Sequence, residues 1–193
     1  MKRIQALKLI LEAFPDEPVI SNCGATCREL AYLERSSRIL YLEDSMGLAS
    51  SVGLGLAVAL SEDPPVKRVI VMEGDGSLLM NFSSLASTAY YQPSKLLLVV
   101  LDNAAYASTG GQTTYSSKLN LALFAQAGQL TTLAASSESE LQACLRQIQD
   151  SHSCIFLHVR IEPENSASVP WFLEDPAVLG FAFRQWIQER TSL

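Results

Sequence analysis

The residues with the most chemistry to offer lie between Arg68 and Thr109. An apolar, β-branched run from Arg68 to Met72 leads into Gly74-Asp75-Gly76-Ser77, and a helical pattern of Leu78, Leu79, Phe82, Leu85, Ala86 and Ala89 follows. That order reads as strand, glycine turn, helix. A second buried-type strand, Leu96 to Leu101, delivers Asp102 and Asn103 to the same end of a parallel sheet. A glycine turn that opens a helix presents unpaired backbone N–H groups and the positive end of the helix dipole, which suits a phosphate. An aspartate at the centre of that turn would repel the phosphate unless a divalent cation sits between them. Asn103 supplies a neutral oxygen for the same ion. Mg²⁺ fits this arrangement, because it takes about six oxygens from one or two side chains, phosphates and water.

Two plainer readings compete. Gly74-Asp75-Gly76 alone is an ordinary turn after a strand. A dinucleotide fingerprint would need a third glycine where Leu79 stands, with its acidic residue further along the chain. What separates the first reading from both is the second half: 25 residues, Ser77 to Leu101, and then Asp102-Asn103.

This two-part motif resembles the signature of the thiamin diphosphate enzymes. The resemblance implies that Asp75, Asn103 and the main-chain carbonyl of Ala105 bind Mg²⁺. It also implies that the turn Gly74, Asp75, Gly76 and Ser77 meets the diphosphate, with Ser77 hydrogen-bonding it, and that Tyr106, Ala107 and Ser108 line the diphosphate loop. A second segment, SMGLASSVGLGLA from Ser45, is similar to the stretch of that family that holds the aminopyrimidine ring. By that match Met46, after Ser45, is the apolar wedge that bends the cofactor, and the carbonyl of Asp44 faces its 4′-amino group. Asp44, Ala104 and Ala107 stand where the family often has glycine. Aspartate tolerates unusual φ better than most residues, so Asp44 remains compatible with a carbonyl contact.

The resemblance covers residues 18 to 160 and only the half of such an enzyme that binds diphosphate and metal. It implies a partner chain carrying the pyrimidine-binding domain, whose glutamate protonates the ring, and hence a hetero-oligomer with no catalytic side chain of its own in this chain. Among family members with separate subunits, the pattern is similar to decarboxylases that convert a 3-substituted pyruvate, of the sulfopyruvate or phosphonopyruvate kind, to an aldehyde and CO₂. An acetolactate synthase-like or 2-oxo acid oxidoreductase subunit shares every motif. A noncatalytic homologue acting through a protein interface is the reading from a different class.

The remaining sequence must position these groups. With 193 residues, 48% of them hydrophobic, the chain is sized for one domain, 1–193, and its net charge of −6 without a basic cluster argues against nucleic acid as a partner. No apolar run reaches a membrane span and the first residues do not form a signal peptide, so a cytoplasmic location is expected. Cys23, Cys27, Cys144 and Cys154 lack metal-ligand spacing and read as free thiols packed in the core. The patterns predict helices over 2–14, 26–33 (with Thr26 and Glu29 as a capping box), 50–60, 121–127, 138–149 and 176–189. They predict strands over 19–21, 39–42, 68–72, 96–101, 130–134 and 154–161. Six parallel strands alternating with helices describe a doubly wound α/β sandwich with the site at the carboxyl ends of the strands. Gly53, Gly55 and Ala57 are expected to allow close backbone approach, Gly110-Gly111-Gln112 to form a turn at the cofactor end, and His152 and His158 to be structural or exposed.

Overall fold

Successive residues of a strand face opposite sides, so a strand buried on both faces must be apolar throughout and feed two cores. The computed structural model, which describes residues 1–62 and 65–193, shows this directly. In β3 (Val69–Gly74), Ile70 and Met72 enter one core while Val69 and Val71 enter the other. The first core is completed by α1 (Arg3–Ala13), α2 (Ala25–Leu33) and α7 (Glu138–Gln149). The second is completed by α3 (Ala49–Ala59), α4 (Asp75–Met80), α5 (Ser83–Tyr91), α6 (Leu121–Ala127) and α8 (Pro176–Gln188). Between them lie β1 (Val19–Ser21), β2 (Ile39–Tyr41), β3, β4 (Leu96–Asp102), β5 (Thr131–Ala135) and β6 (Ile155–Arg160), all parallel, in the order β2-β1-β3-β4-β6-β5. This is the doubly wound α/β fold expected from the sequence. The chain winds outward from β1 in one direction and from β3 in the other, so the sheet has its switch point between β1 and β3, where open α/β sheets place their crevice.

Several local expectations need correction. The helix expected after the glycine turn is two helices, because Asn81 leaves helical dihedrals and donates instead to the Gly47 carbonyl (2.9 Å) and the Ser51 hydroxyl (3.0 Å). The Thr26–Glu29 capping box does not form: α2 starts one residue earlier from Gly24, and Glu29 turns to Arg3. Ser137 caps α7, and the Glu140 side chain accepts from the amide of Ser136 (2.7 Å). Gly53 is needed for close packing, since a Cβ there would lie 2.0 Å from Val71 Cγ2, whereas Gly55 is exposed and meets nothing. Cys27 and Cys154 are core residues, but Cys23 and Cys144 are only partly buried; all four thiols are free, and burial pushes each of them up. Asp175 and Pro176 open α8 as expected, burying Phe183 and Ile187 while Phe181 and Trp171 stay exposed. Among the described residues, no helix is long and apolar enough to cross a membrane.

Candidate functional site

Three strand ends flank the switch point, and each continues into a turn that lines one cleft of about 130 Å³. The turn after β1 contributes Asn22, Cys23, Gly24, Ala25 and Thr26. Gly74 to Ser77 follow β3, and Asn103 with Ala105 to Thr109 follow β4. Strand register fixes the second and third of these side by side, since Gly74 pairs with Leu101. Close packing demands Gly76, where a Cβ would sit 2.4 Å from the Tyr106 ring.

Asp75 is almost fully buried. Its Oδ1 accepts from the Asn103 amide at 3.4 Å, and its Oδ2 accepts from the Thr114 hydroxyl, with Ser116 Oγ 3.0 Å away. Burial pushes its carboxyl above the ordinary aspartate range; the Thr114 hydroxyl opposes that, the nearby Asp102 charge reinforces it, and the upward direction wins. Asn103 Oδ1 accepts from the amide of Ala105 at 3.0 Å, a local turn that presents the Asn103 side chain beside Asp75. Glu73, one residue before the glycine turn, is fully buried and accepts from both the amide (3.2 Å) and hydroxyl (2.8 Å) of Ser50 at the start of α3. The Gly47 amide donates to Ser77 Oγ at 2.8 Å. The Met46 turn is thereby bolted to the Gly74–Ser77 turn.

Of the residues nominated from sequence, Met46, Gly74, Asp75, Gly76, Ser77, Asn103, Ala105, Tyr106, Ala107 and Ser108 line the cleft. Asp44 and Ser45 stand outside it, Asp44 exposed with φ +56° and Ser45 bonded to the Glu43 carbonyl. Gly110, Gly111 and Gln112 close a short hairpin, pinned by the Tyr106 amide on the Gln112 carbonyl (2.8 Å) and an Ala105–Thr113 bridge.

Sequence reasoning missed four contributors. The turn after β1 left only a short strand and one glycine as signals. Thr114 and Ser116 lie beyond a loop and carry none. Arg3 is buried at the cleft, donating to Glu29 (3.2 Å) and Asn165 (3.2 Å), and a single arginine on an amphipathic helix gives no hint of that. Asn165, from the segment after β6, also donates to the Ala107 carbonyl at 2.8 Å and so ties that segment to the cleft loop.

Asp75, Asn103 and Ala105 bring to one cleft a carboxylate, an amide and a main-chain carbonyl, oxygen donors of the kind a hard cation takes, and among the described residues no cluster of three or more His, Cys, Asp or Glu side chains forms a cage for a metal. Asn22 Oδ1 is also buried at this cleft with no hydrogen-bond partner among the described residues, an acceptor left for a ligand or its water.

Residues 23–159 match the family described as thiamine pyrophosphate enzyme, C-terminal TPP binding domain. The chain belongs to that family. This thiamin diphosphate-binding domain is similar to the sulfopyruvate decarboxylase subunit beta of Methanocaldococcus jannaschii, 36% identical over 193 residues that cover 97% of each chain. It is 38% identical over 170 residues to the subunit of the same name from Methanothermobacter thermautotrophicus, covering 88% of this chain and 86% of that one. The phosphonopyruvate decarboxylase of Streptomyces hygroscopicus is 35% identical over 189 residues, which are 97% of this chain and 46% of the relative. Benzoylformate decarboxylase from Polynucleobacter necessarius shares the fold, with a TM-score of 0.67 at 16% identity over 83% of this chain; the chain spans 33% of that structure's length.

Proposed function

We propose that this chain is the diphosphate- and metal-binding subunit of a thiamin diphosphate- and Mg²⁺-dependent decarboxylase acting on a 3-substituted pyruvate whose substituent is acidic, with an aldehyde and CO₂ as products. The observation that carries the reading is the convergence, in one cleft at the switch point, of Asp75, Asn103 and Ala105 with the turn Gly74–Ser77. The substrate class rests on the sulfopyruvate and phosphonopyruvate decarboxylases among its relatives.

In this reading Asp75 and Asn103 hold Mg²⁺ through side-chain oxygens and Ala105 through its carbonyl. The amides of the Gly74–Ser77 turn, and those opening α2 after Gly24, face the diphosphate. Met46 supports the ring system from the side. When bound, thiamin diphosphate supplies a nucleophilic carbon for the 2-oxo group and a sink for the electrons left by CO₂. The chain's own part is to hold charge in place and to exclude water.

A partner chain supplies the remaining wall and the glutamate. Two observations support this. A cleft of about 130 Å³ falls short of the roughly 300–1,000 Å³ typical of small-molecule sites. Beside the Met46 turn, Leu48, Val52 and Met80 leave apolar surface exposed, as a contact face would.

Calorimetric titration of the chain with thiamin diphosphate tests the reading, with and without Mg²⁺ and with a pyrimidine-domain chain. Binding is expected to require Mg²⁺, to strengthen with the partner and to vanish in Asp75→Ala. Binding indifferent to Mg²⁺ or to Asp75→Ala overturns the reading. A substrate screen on the assembled pair then separates sulfonate, phosphonate and carboxylate substituents.

A further inference from the structure

Asp102 is 1% exposed, yet its carboxylate joins three separated parts of the chain. Oδ1 accepts from the Ala104 amide (3.0 Å) and the Ser116 hydroxyl (2.7 Å); Oδ2 meets His158 Nε2 (2.7 Å) and Arg160 Nη1 (3.3 Å). Strand register explains the second pair, because β4 and β6 align Val100 with His158 and Asp102 with Arg160. Burial alone would push this carboxyl up, but bonds from His158 and Ser116, and the Arg160 charge, outweigh it and hold it below the ordinary range. The Arg160 guanidinium, which only donates, shares Oδ2 with His158, so that oxygen accepts from both.

What this anchored carboxylate fixes is Ala104, which has φ +56°. A left-handed conformation is strained for a non-glycine residue and persists only where the surroundings enforce it. The Ala104 amide is held by Asp102 and its carbonyl accepts from the Thr114 amide at 3.0 Å. On either side of Ala104 are Asn103 and Ala105.

We propose that Asp102 and His158 are positioning residues for metal binding: His158 anchors the Asp102 carboxylate, which clamps Ala104 in its left-handed turn and so aims the Asn103 side chain and the Ala105 carbonyl at the cation. This rests on the Mg²⁺ reading given above. A buried ion pair that merely supported the sheet would serve stability and leave the cation unaffected.

Mn²⁺, followed by its paramagnetic resonance signal in the presence of thiamin diphosphate, tests this on the full chain, with thermal melting recorded alongside. His158→Leu is expected to weaken Mn²⁺ binding about 10–100-fold, and His158→Gln, whose amide still donates to Asp102, to stay within about threefold of the unmodified chain. Adding Ala104→Gly to His158→Leu should recover most of the loss, because glycine adopts the turn without enforcement. Asp102→Asn keeps the volume but gives up the charge that pairs with His158 and Arg160, so the clamp loses its anchor, and it remains readable if His158→Leu fails to fold; it is expected to weaken Mn²⁺ binding, with recovery by Ala104→Gly. Unchanged Mn²⁺ affinity in folded His158→Leu or Asp102→Asn overturns the proposal, as does a loss that Ala104→Gly does not repair. Failure of the unmodified chain to bind Mn²⁺ with thiamin diphosphate overturns the cofactor reading as well, and so is distinct from failure of this proposal alone.

Discussion

The two ends of the sheet treat buried polar groups in opposite ways. At the amino ends of the strands, the buried Arg68 guanidinium donates to the carbonyls of Ser94 (2.7 Å), Ser153 (2.8 Å), Ile148 (3.1 Å) and Ser151. Beside it, Glu17 accepts from the amides of Lys67 and Arg68, both at 3.1 Å. At the carboxyl ends, Asn22 Oδ1 and Glu29 Oε2 are buried with no hydrogen-bond partner among the described residues. The larger hollow is at the amino end, about 520 Å³ against about 130 Å³ for the cleft. Volume therefore does not mark the site. Unspent hydrogen-bonding capacity does.

The contrast can be broken most forcefully at Arg68. Arg68→Met strands buried acceptors that cost about 1–3 kcal/mol each, so the unfolding free energy should fall by about 3 kcal/mol or more in urea titrations. Cation affinity of the folded fraction should stay unchanged; if it falls in step, the two ends are not independent. At the other end, Gly76→Ala drives a Cβ into the Tyr106 ring and should cost about 1–3 kcal/mol together with a changed tyrosine signal in near-ultraviolet dichroism.

A subtler effect separates the two ends by pH. The Asp75 carboxyl is held above its ordinary value of 3.8, so its contribution to stability is fully present below that value and is lost as the pH rises through the folded-state value. With a chelator present, melts of Asp75→Asn and the unmodified chain should converge as the pH falls toward 3.8 and separate in the variant's favour as it rises. The smallest effects are at left-handed residues. Ala104→Gly and Gln92→Gly, the latter at a helix end, should each gain about 0.5–1 kcal/mol in thermal unfolding. Only the former should restore cation binding to His158→Leu.

The fold was legible because its strands are short apolar runs between glycines, prolines and polar turns, and because a doubly wound sheet demands that alternation. That Asp75 and Asn103 share one cleft was legible for a related reason: a strand end dictates where the next residue lies, so spacing and the family resemblance together brought them to the same end of the sheet. Asp44 and Ser45 were nominated by similarity of sequence, and only Met46 of that run turns into the cleft. Thr114, Ser116, Arg3 and Asn165 were invisible because tertiary packing alone brings them to the site. Asp102 and His158 fall between these cases. Each sat on a recognisable strand, and the pairing of β4 with β6 made them partners.

The Arg3–Asn165 contact carries a consequence for biosynthesis. One side of the cleft is held by the third residue of the chain, and the bond that fastens its loop at Ala107 comes from the 165th. During synthesis Asn165 follows Arg3 by 162 residues, with every strand of the sheet made between them. A nascent chain that already displays Gly74–Ser77 and Asn103 still lacks the fastening until Asn165 has been made and has met Arg3, so this side of the cleft is completed late in folding.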